Sequence, residues 1–162
     1  MQIEPMAFFA VPHVGLVVPS LEAAMDGYIA NFGMTFYTFD IDETLAQFGS
    51  SSQFNLRFGL GLLGGVTIEL IAPVAGETVY SAYLRCQGPG VHHLGVCVAD
   101  LNAAREQLER RNYQLLMAGK IEGLAGFAYY QATDMHCIIE PLELSGSLPL
   151  FFAKHARKYS GR

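Results

Sequence analysis

A stretch of fourteen residues occurs twice in this chain, and the duplication limits what the chain can fold into. Residues 11–24 read VPHVGLVVPSLEAA and residues 91–104 read VHHLGVCVADLNAA, at a constant offset of 80 residues. Each copy predicts an apolar strand, a turn at Ser20 or Asp100 suited to cap a helix, and then a helix. The chain therefore contains two similar units, each with one histidine at the same structural position.

The duplication continues beyond these stretches. Hydrophobic periodicity predicts a strand, a helix and three strands over residues 8–75, and the same order over residues 91–145. Residues 76–90 form a linker with a short helix, and residues 146–162 form a helical tail outside the duplication. The pattern favours an α+β fold of two tandem βαβββ modules, whose strands form a curved mixed sheet around a cavity.

Three segments outside the repeated pattern carry their own predictions. Residues 41–52 are predicted as a polar loop, and residues 119–126 as a glycine-rich loop between two strands. Residues 148–159 are predicted as an amphipathic helix that covers a sheet edge or a neighbouring subunit.

Composition excludes several classes of function. A net charge of −5 without a stripe of Lys and Arg argues against nucleic-acid binding. No apolar run is long enough to span a bilayer, and the first residues do not resemble a signal peptide, so a cytoplasmic protein is expected. Three cysteines without a CxxC pair argue against a disulfide framework. The apolar content of 51% and the extra tail suggest a homodimer.

Four polar residues at equivalent positions define a candidate site. Glu69 and Glu140 lie in apolar strands at the ends of the two modules, where an unpaired carboxylate is costly to bury. Alternation along the strands turns both glutamates toward the same face as His13 and His93. Two imidazoles and two carboxylates in one concavity suit a divalent transition metal ion such as Zn, Ni, Co, Mn or Fe.

A structural role for each residue is the alternative. A single histidine in an apolar strand is usually a core residue, and a single glutamate often pairs with an arginine. The duplication favours the metal site, because one histidine and one glutamate occur at equivalent positions in both modules.

The quoted motifs resemble the vicinal oxygen chelate superfamily, which includes glyoxalase I, methylmalonyl-CoA epimerase, extradiol dioxygenases and bleomycin resistance proteins. The resemblance covers residues 10–145 and is strongest to the epimerase-like and glyoxalase I-like branch. It is carried by HVGLVVPSLEAAMDGYIANFGM, VTIELIAPVAG and GPGVHHLGVCVADLNAA. It implies metal ligands on the first, fourth, fifth and eighth strands, which here are His13, Glu69, His93 and Glu140.

The resemblance implies a metal-dependent isomerase or lyase of the glyoxalase type. Such an enzyme binds two neighbouring oxygens of a small carbonyl substrate and stabilises its enediolate or enolate. Glu140 and Glu69 are the candidate catalytic residues that shuttle the proton.

Substrate contacts are expected from the third strand and from the second module. Asn55 and Arg57 are predicted to face the cavity, and Tyr129 to line it. Arg57 would bind a carboxylate or phosphate, or else neutralise a buried glutamate. Epimerases of this superfamily carry an additional acidic base near the position of Asn55, so methylmalonyl-CoA epimerisation itself is not favoured.

Two other functions remain open. An extradiol-type ring-cleaving dioxygenase needs two histidines and one carboxylate, and a second carboxylate at Glu69 argues against it. A non-catalytic binding or resistance protein generally lacks the ligands, and the full set of four argues against that reading.

Overall fold

The structure, a computed structural model, describes residues 8–44, 46–48 and 53–161 and confirms the predicted α+β class. In the described part of the chain, no helix combines the length and the apolar character needed to cross a membrane. The described elements are β1 (Phe8–Val17), α1 (Leu21–Phe32), β2 (Phe36–Asp42), β3 (Ala46–Phe48), β4 (Asn55–Leu63), β5 (Val66–Ala75), α2 (Val79–Gln87), β6 (Gly90–Val98), α3 (Leu101–Arg110), β7 (Gln114–Ile121), β8 (Ala125–Ala132), β9 (Cys137–Leu144), α4 (Leu148–His155) and β10 (Arg157–Tyr159).

The described strands form one curved mixed sheet in the order β10-β2-β4-β5-β1-β6-β9-β8-β7-β3. The first strands of the two repeated units, β1 and β6, lie antiparallel at its centre. Each also pairs in parallel with the last strand of its own unit, β1 with β5 and β6 with β9. The duplicated sequence therefore occupies the four central strands.

The repeated turns cap their helices as the sequence predicts. The Ser20 side chain accepts a hydrogen bond from the backbone N–H of Ala23, and the Asp100 carboxylate accepts one from Ala103. These bonds satisfy donors that the first helical turn leaves free. Both helices therefore start at the same point relative to the central strands.

Strand alternation divides the core between the two faces of the sheet. Alternate residues of β1 and β5, such as Leu16 and Leu70, pack with Leu21 and Met25 of α1. Val17 belongs instead to a second cluster on the opposite, concave face. The concave face is thus free to carry the four candidate ligands.

Two predicted loops contain strand. In the segment 119–126, β7 continues to Ile121 and β8 begins at Ala125, so only three residues form the turn. Gly119 and Gly126 are extended because the ladder between β7 and β8 satisfies their backbone groups, whereas Gly123 has a positive φ of 76° in the turn. In the segment 41–52, β3 pairs with β7; residues 45 and 49–52 lie outside the described residues.

The predicted tail helix is shorter than expected. It ends at His155, and β10 then pairs with β2 at one edge of the sheet. The Tyr159 hydroxyl donates a hydrogen bond to Asp26 of α1, at 2.9 Å, which holds the tail against the first unit. The ladder formed with the edge strand β2 supplies backbone hydrogen bonds that a continued helix would not make there.

Candidate metal centre

The register of the four central strands brings the candidate ligands together in two rows across the sheet. In the first row, Gly15 of β1 lies between Glu69 of β5 and His93 of β6. One row therefore takes its carboxylate from the first repeated unit and its imidazole from the second.

The second row is the mirror of the first. Gly95 of β6 lies between His13 of β1 and Glu140 of β9. Here the imidazole comes from the first unit and the carboxylate from the second.

A glycine in the middle of each row makes room for an imidazole. A Cβ atom added to Gly15 would overlap the ring of His93, and one added to Gly95 would overlap the ring of His13. Sequence reasoning aligned these glycines but gave them no role. The repeated spacing His-x-Gly was the signal that identifies them.

Three donor atoms converge most tightly. The Nε2 atoms of His13 and His93 lie 3.1 Å apart. Oε2 of Glu140 lies 2.8 Å from Nε2 of His13 and 3.3 Å from Nε2 of His93. Two imidazoles and one carboxylate thus point at a common centre, and all three residues are buried.

Glu69 completes the set less tightly. Its Oε2 lies 3.2 Å from Nε2 of His93 and 3.8 Å from Nε2 of His13. Its side chain is 17% exposed, against 8% for that of Glu140. Glu69 is therefore the donor with the most freedom to move.

The donor set fits a divalent transition metal. Ligand atoms about 2.1 Å from one ion lie about 3.0–3.4 Å from each other in octahedral or tetrahedral arrangements. The five distances among Nε2 of His13 and His93 and Oε2 of Glu69 and Glu140 that lie below 4 Å run from 2.8 to 3.8 Å. Imidazole and carboxylate ligands together suit Zn, Mn, Fe, Co or Ni.

Electrostatics within the cluster are strong. Burial by itself lowers the pKa of His93, but Glu140 and Glu69 outweigh it and raise that pKa to about 10. The pKa of His13 is also raised, because the attraction of Glu69 and Glu140 exceeds the cost of burial. Burial raises the pKa of Glu140, yet the two imidazoles hold it well below its usual range. The carboxylates thus stabilise positive charge at this point, as a cation site requires.

His92 supports the cluster from the side. Its Nδ1 lies 3.0 Å from Nδ1 of His93, the ring nitrogen that faces away from the other donors. Its ring packs against Tyr80, Tyr83 and Tyr129. Burial, followed by repulsion from His93, lowers the pKa of His92 to about 4, so it is neutral near pH 7. A neutral partner at Nδ1 fixes the orientation of His93.

A cavity of about 300 Å³ opens beside the cluster, and His13, Glu69 and Glu140 line it. The hydroxyl groups of Tyr80 on α2 and Tyr129 on β8 lie 2.6 Å apart in its wall. Tyr129 therefore lines the cavity, as the sequence predicts. Most of the remaining wall is apolar and includes Phe39, Phe58, Leu60, Phe127, Leu142 and Phe152.

Asn55 and Arg57 do not join this site. The Arg57 guanidinium pairs with Glu22 of α1 and lies 3.4 Å from Asp40 of β2. The residues of β4 that face the cavity cluster are instead Leu56, Phe58 and Leu60.

The predicted parity of β4 is thus wrong by one residue. Because side chains alternate along a strand, a shift of one residue moves Arg57 to the face that carries α1. Asn55, with the same parity, lies half-buried at the start of β4 and opposite Asp42. Neither residue is among the described residues that line the cavity.

Two βαβββ units with candidate metal ligands at their junction place this chain in a class of proteins that share this fold. The family model of the glyoxalase/bleomycin resistance protein/dioxygenase superfamily matches residues 12–130. The chain belongs to this superfamily, as its sequence motifs indicate. No curated protein sequence gives a significant match.

Solved structures show the same fold. Methylmalonyl-CoA epimerase from Mycobacterium tuberculosis is 22% identical, with a TM-score of 0.66, covering 92% of this chain and 97% of that one. A Streptomyces coelicolor methylmalonyl-CoA epimerase variant in complex with 2-nitronate-propionyl-CoA is 17% identical, with a TM-score of 0.69, covering 87% and 98%. A hypothetical protein from Bacillus halodurans C-125 is 16% identical, with a TM-score of 0.66, covering 81% and 91%.

Proposed function

We propose that the chain is a metal-dependent isomerase or lyase that removes a proton beside the carbonyl group of a small substrate. The observation that carries this proposal is the convergence of four donor side chains beside a largely apolar cavity. Membership of the superfamily and the fold shared with epimerases support it. The fold alone does not select a reaction, so the site has to supply the argument.

His13, His93, Glu140 and Glu69 would hold the ion. When bound, a divalent metal supplies Lewis-acid polarisation of two neighbouring substrate oxygens. The three more tightly grouped side chains are almost fully buried, which suits permanent ligands. Their burial lowers the local dielectric constant, which strengthens electrostatic interactions among them.

Glu69 is the better candidate for the general base. Its Oε2 would accept the proton from the carbon next to the carbonyl, and the electron pair of that bond would pass to the carbonyl oxygen. Return of the proton to either face, or to the neighbouring carbon, gives an isomerised product. Glu69 is more exposed than Glu140 and more loosely tied to the histidines, so it has the freedom to exchange a proton.

Tyr129 and its partner Tyr80 would bind a substrate oxygen. Two hydroxyls that share one hydrogen bond use one of their two protons, and the other remains to be donated. Full burial raises the pKa of both tyrosines well above the ordinary value, so both hydroxyls stay protonated. The pair would act as a neutral donor in the wall of the cavity.

Deuterium exchange tests this function directly. The purified protein is analysed for bound metal, then incubated in D2O with a panel of small α-hydroxyketones, α-ketoaldehyde thiol adducts and thioesters. NMR should show deuterium entering the position beside the carbonyl with metal-loaded protein, and not with Glu69→Gln loaded with the same metal. A protein that takes up none of the five metals, or whose exchange is unchanged by chelation, would contradict the proposal.

A further inference from the structure

We infer that the part of the substrate that points away from the four donors is uncharged and apolar, such as an aromatic ring or a branched alkyl group. This inference rests on the proposed function and names the substrate class of the same site. It follows from the wall of the cavity, most of whose residues lie outside the two repeated stretches 11–24 and 91–104.

The wall that faces the donors is aromatic and aliphatic. Phe39 and Phe58 stack with ring centroids 5.3 Å apart, and Phe152 of α4 meets Phe39 edge to face at 5.8 Å. Leu60 and Leu148 also line the cavity. Burying an apolar group here removes both its own surface and that of the wall from water.

The wall offers no counter-ion to an anionic substrate. Among the described residues that line the cavity there is no Lys or Arg, and the formal charges come from Glu69, Glu140 and the imidazole of His13. Outside that cluster the polar side chains of the lining are Tyr80, Tyr129, Thr67 and Cys97. A substrate carboxylate away from the donors would lose its hydration without gaining a partner, which is unfavourable.

Arg57, the arginine that the sequence predicts as a substrate contact, does not line the cavity. Arg57 on β4 lies on the other face of the sheet and is paired with Glu22 and Asp40. The sequence predicts a contact from β4 to a substrate carboxylate or phosphate. This strand presents Phe58 and Leu60 to the cavity instead. The size of about 300 Å³ lies at the lower end of the range for small-molecule sites, which suits one ring or a short branched chain.

Three hydroxamic acids with the same oxygen-chelating head test this inference. Zn²⁺-loaded protein is titrated by calorimetry with acetohydroxamic acid, benzohydroxamic acid and 4-carboxybenzohydroxamic acid. Benzohydroxamic acid should bind more tightly than acetohydroxamic acid by a factor of about ten or more, because its ring is buried against the apolar wall. 4-Carboxybenzohydroxamic acid should bind more weakly than benzohydroxamic acid by a factor of about ten or more, because its distal carboxylate loses hydration without gaining a partner.

A matched pair of variants on one strand adds a control. Leu60→Arg places a cation in the wall and should reduce the penalty for the carboxylate. Leu62→Arg lies on the same strand but is 63% exposed and does not line the cavity, so it should leave the penalty unchanged.

The wild-type comparison alone can overturn the inference. Equal or tighter binding of the carboxylate compound, or no gain from the ring while acetohydroxamic acid binds, overturns the substrate class and leaves the proposed function standing. If the protein binds zinc but none of the three compounds, or binds no metal, the proposed function itself fails.

Discussion

The two halves of the candidate site contain the same residue types, yet they do not have the same surroundings. His93 is 1% exposed, with its Nδ1 against His92 and its ring against Tyr129. His13 is 8% exposed. Glu140 approaches the imidazole of the other unit to 2.8 Å, and Glu69 approaches its counterpart to 3.2 Å. The second unit therefore supplies the more deeply buried half.

Neither unit holds a complete site. Each glutamate lies closer to the histidine of the other unit than to its own, because the rows run across the seam between β1 and β6. Duplication thus produced a site that exists only when both copies pair. The difference in burial is the reason why we propose different roles for the two carboxylates, Glu140 as a fixed ligand and Glu69 as the general base.

The largest expected effect comes from closing the space that the central glycines leave. Gly95→Ala or Gly15→Ala puts a methyl group where an imidazole lies, so the ring or the strand must move. We expect metal binding to be lost and the free energy of unfolding to fall by about 1–3 kcal/mol. Metal analysis and urea denaturation measure the two effects.

Gly27→Ala is the matched control for the glycine variants. Gly27 lies in α1, and a Cβ atom added there meets nothing within 4 Å. This substitution should raise stability by about 0.5–1 kcal/mol, because alanine favours a helix. Metal binding at wild-type affinity by Gly95→Ala would show that the two-row geometry is not needed for the site.

The two carboxylates provide the next comparison. Glu140→Gln removes a buried charge that both imidazoles face, and we expect metal affinity to fall by about 100-fold. Glu69→Gln should lower it by about tenfold, because this side chain is more exposed and more loosely held. Competition with a fluorescent zinc chelator measures both. Equal losses of metal affinity in the two variants would contradict the proposed difference between a fixed ligand and a mobile base.

The tyrosine pair tests the wall rather than the rows. The double variant Tyr80→Phe with Tyr129→Phe keeps the apolar contacts and removes the hydroxyl pair. Benzohydroxamic acid should bind about tenfold more weakly, since a hydrogen bond to a charged or polarised oxygen is worth about 1.5 kcal/mol. Zinc affinity should stay within about twofold.

A control for the tyrosine pair lies on the same helix. The Tyr83 hydroxyl donates to the backbone carbonyl of Val91 and is not part of the pair. Tyr83→Phe should leave hydroxamate binding unchanged. A comparable loss of affinity in Tyr83→Phe would mean that the effect arises from α2 as a whole.

The smallest effect is expected at Arg57. Its ion pair with Glu22 is about one-third exposed and lies on the helix face of the sheet, so Arg57→Ala should cost about 0.5 kcal/mol of stability. Benzohydroxamic acid and its carboxylated analogue should bind with unchanged affinities. A selective loss of the carboxylated compound in isothermal titration would return Arg57 to the list of substrate contacts.

Repetition made most of the fold predictable from the sequence. The order of elements, the caps at Ser20 and Asp100, and the common face of the four donors all follow from local pattern and strand alternation. The superfamily follows from the motifs around the same residues. Two independent copies of each signal reduce the chance that a single histidine is merely a core residue.

The errors fall outside the stretches whose sequence is repeated. The parity of β4 depends on where the strand starts, and polar residues at 53, 55 and 57 gave a plausible but shifted pattern. The strand β10 and the extension of β7 need partners far away in the chain, so no local pattern predicts them. The contact of His92 with His93 is not predicted by the sequence, because it depends on the positions of both rings and of the aromatic side chains around them.

The sequence by itself determined the four candidate ligands, the two-unit fold and the superfamily, because the repeat fixes residue type and strand face together. Only the tertiary structure decided which donors lie together most tightly, why Gly15 and Gly95 stand between them, and that the cavity wall is apolar. These properties depend on contacts between strands and helices that are distant in sequence. Distance along the chain says nothing about such contacts until the sheet order and register are known.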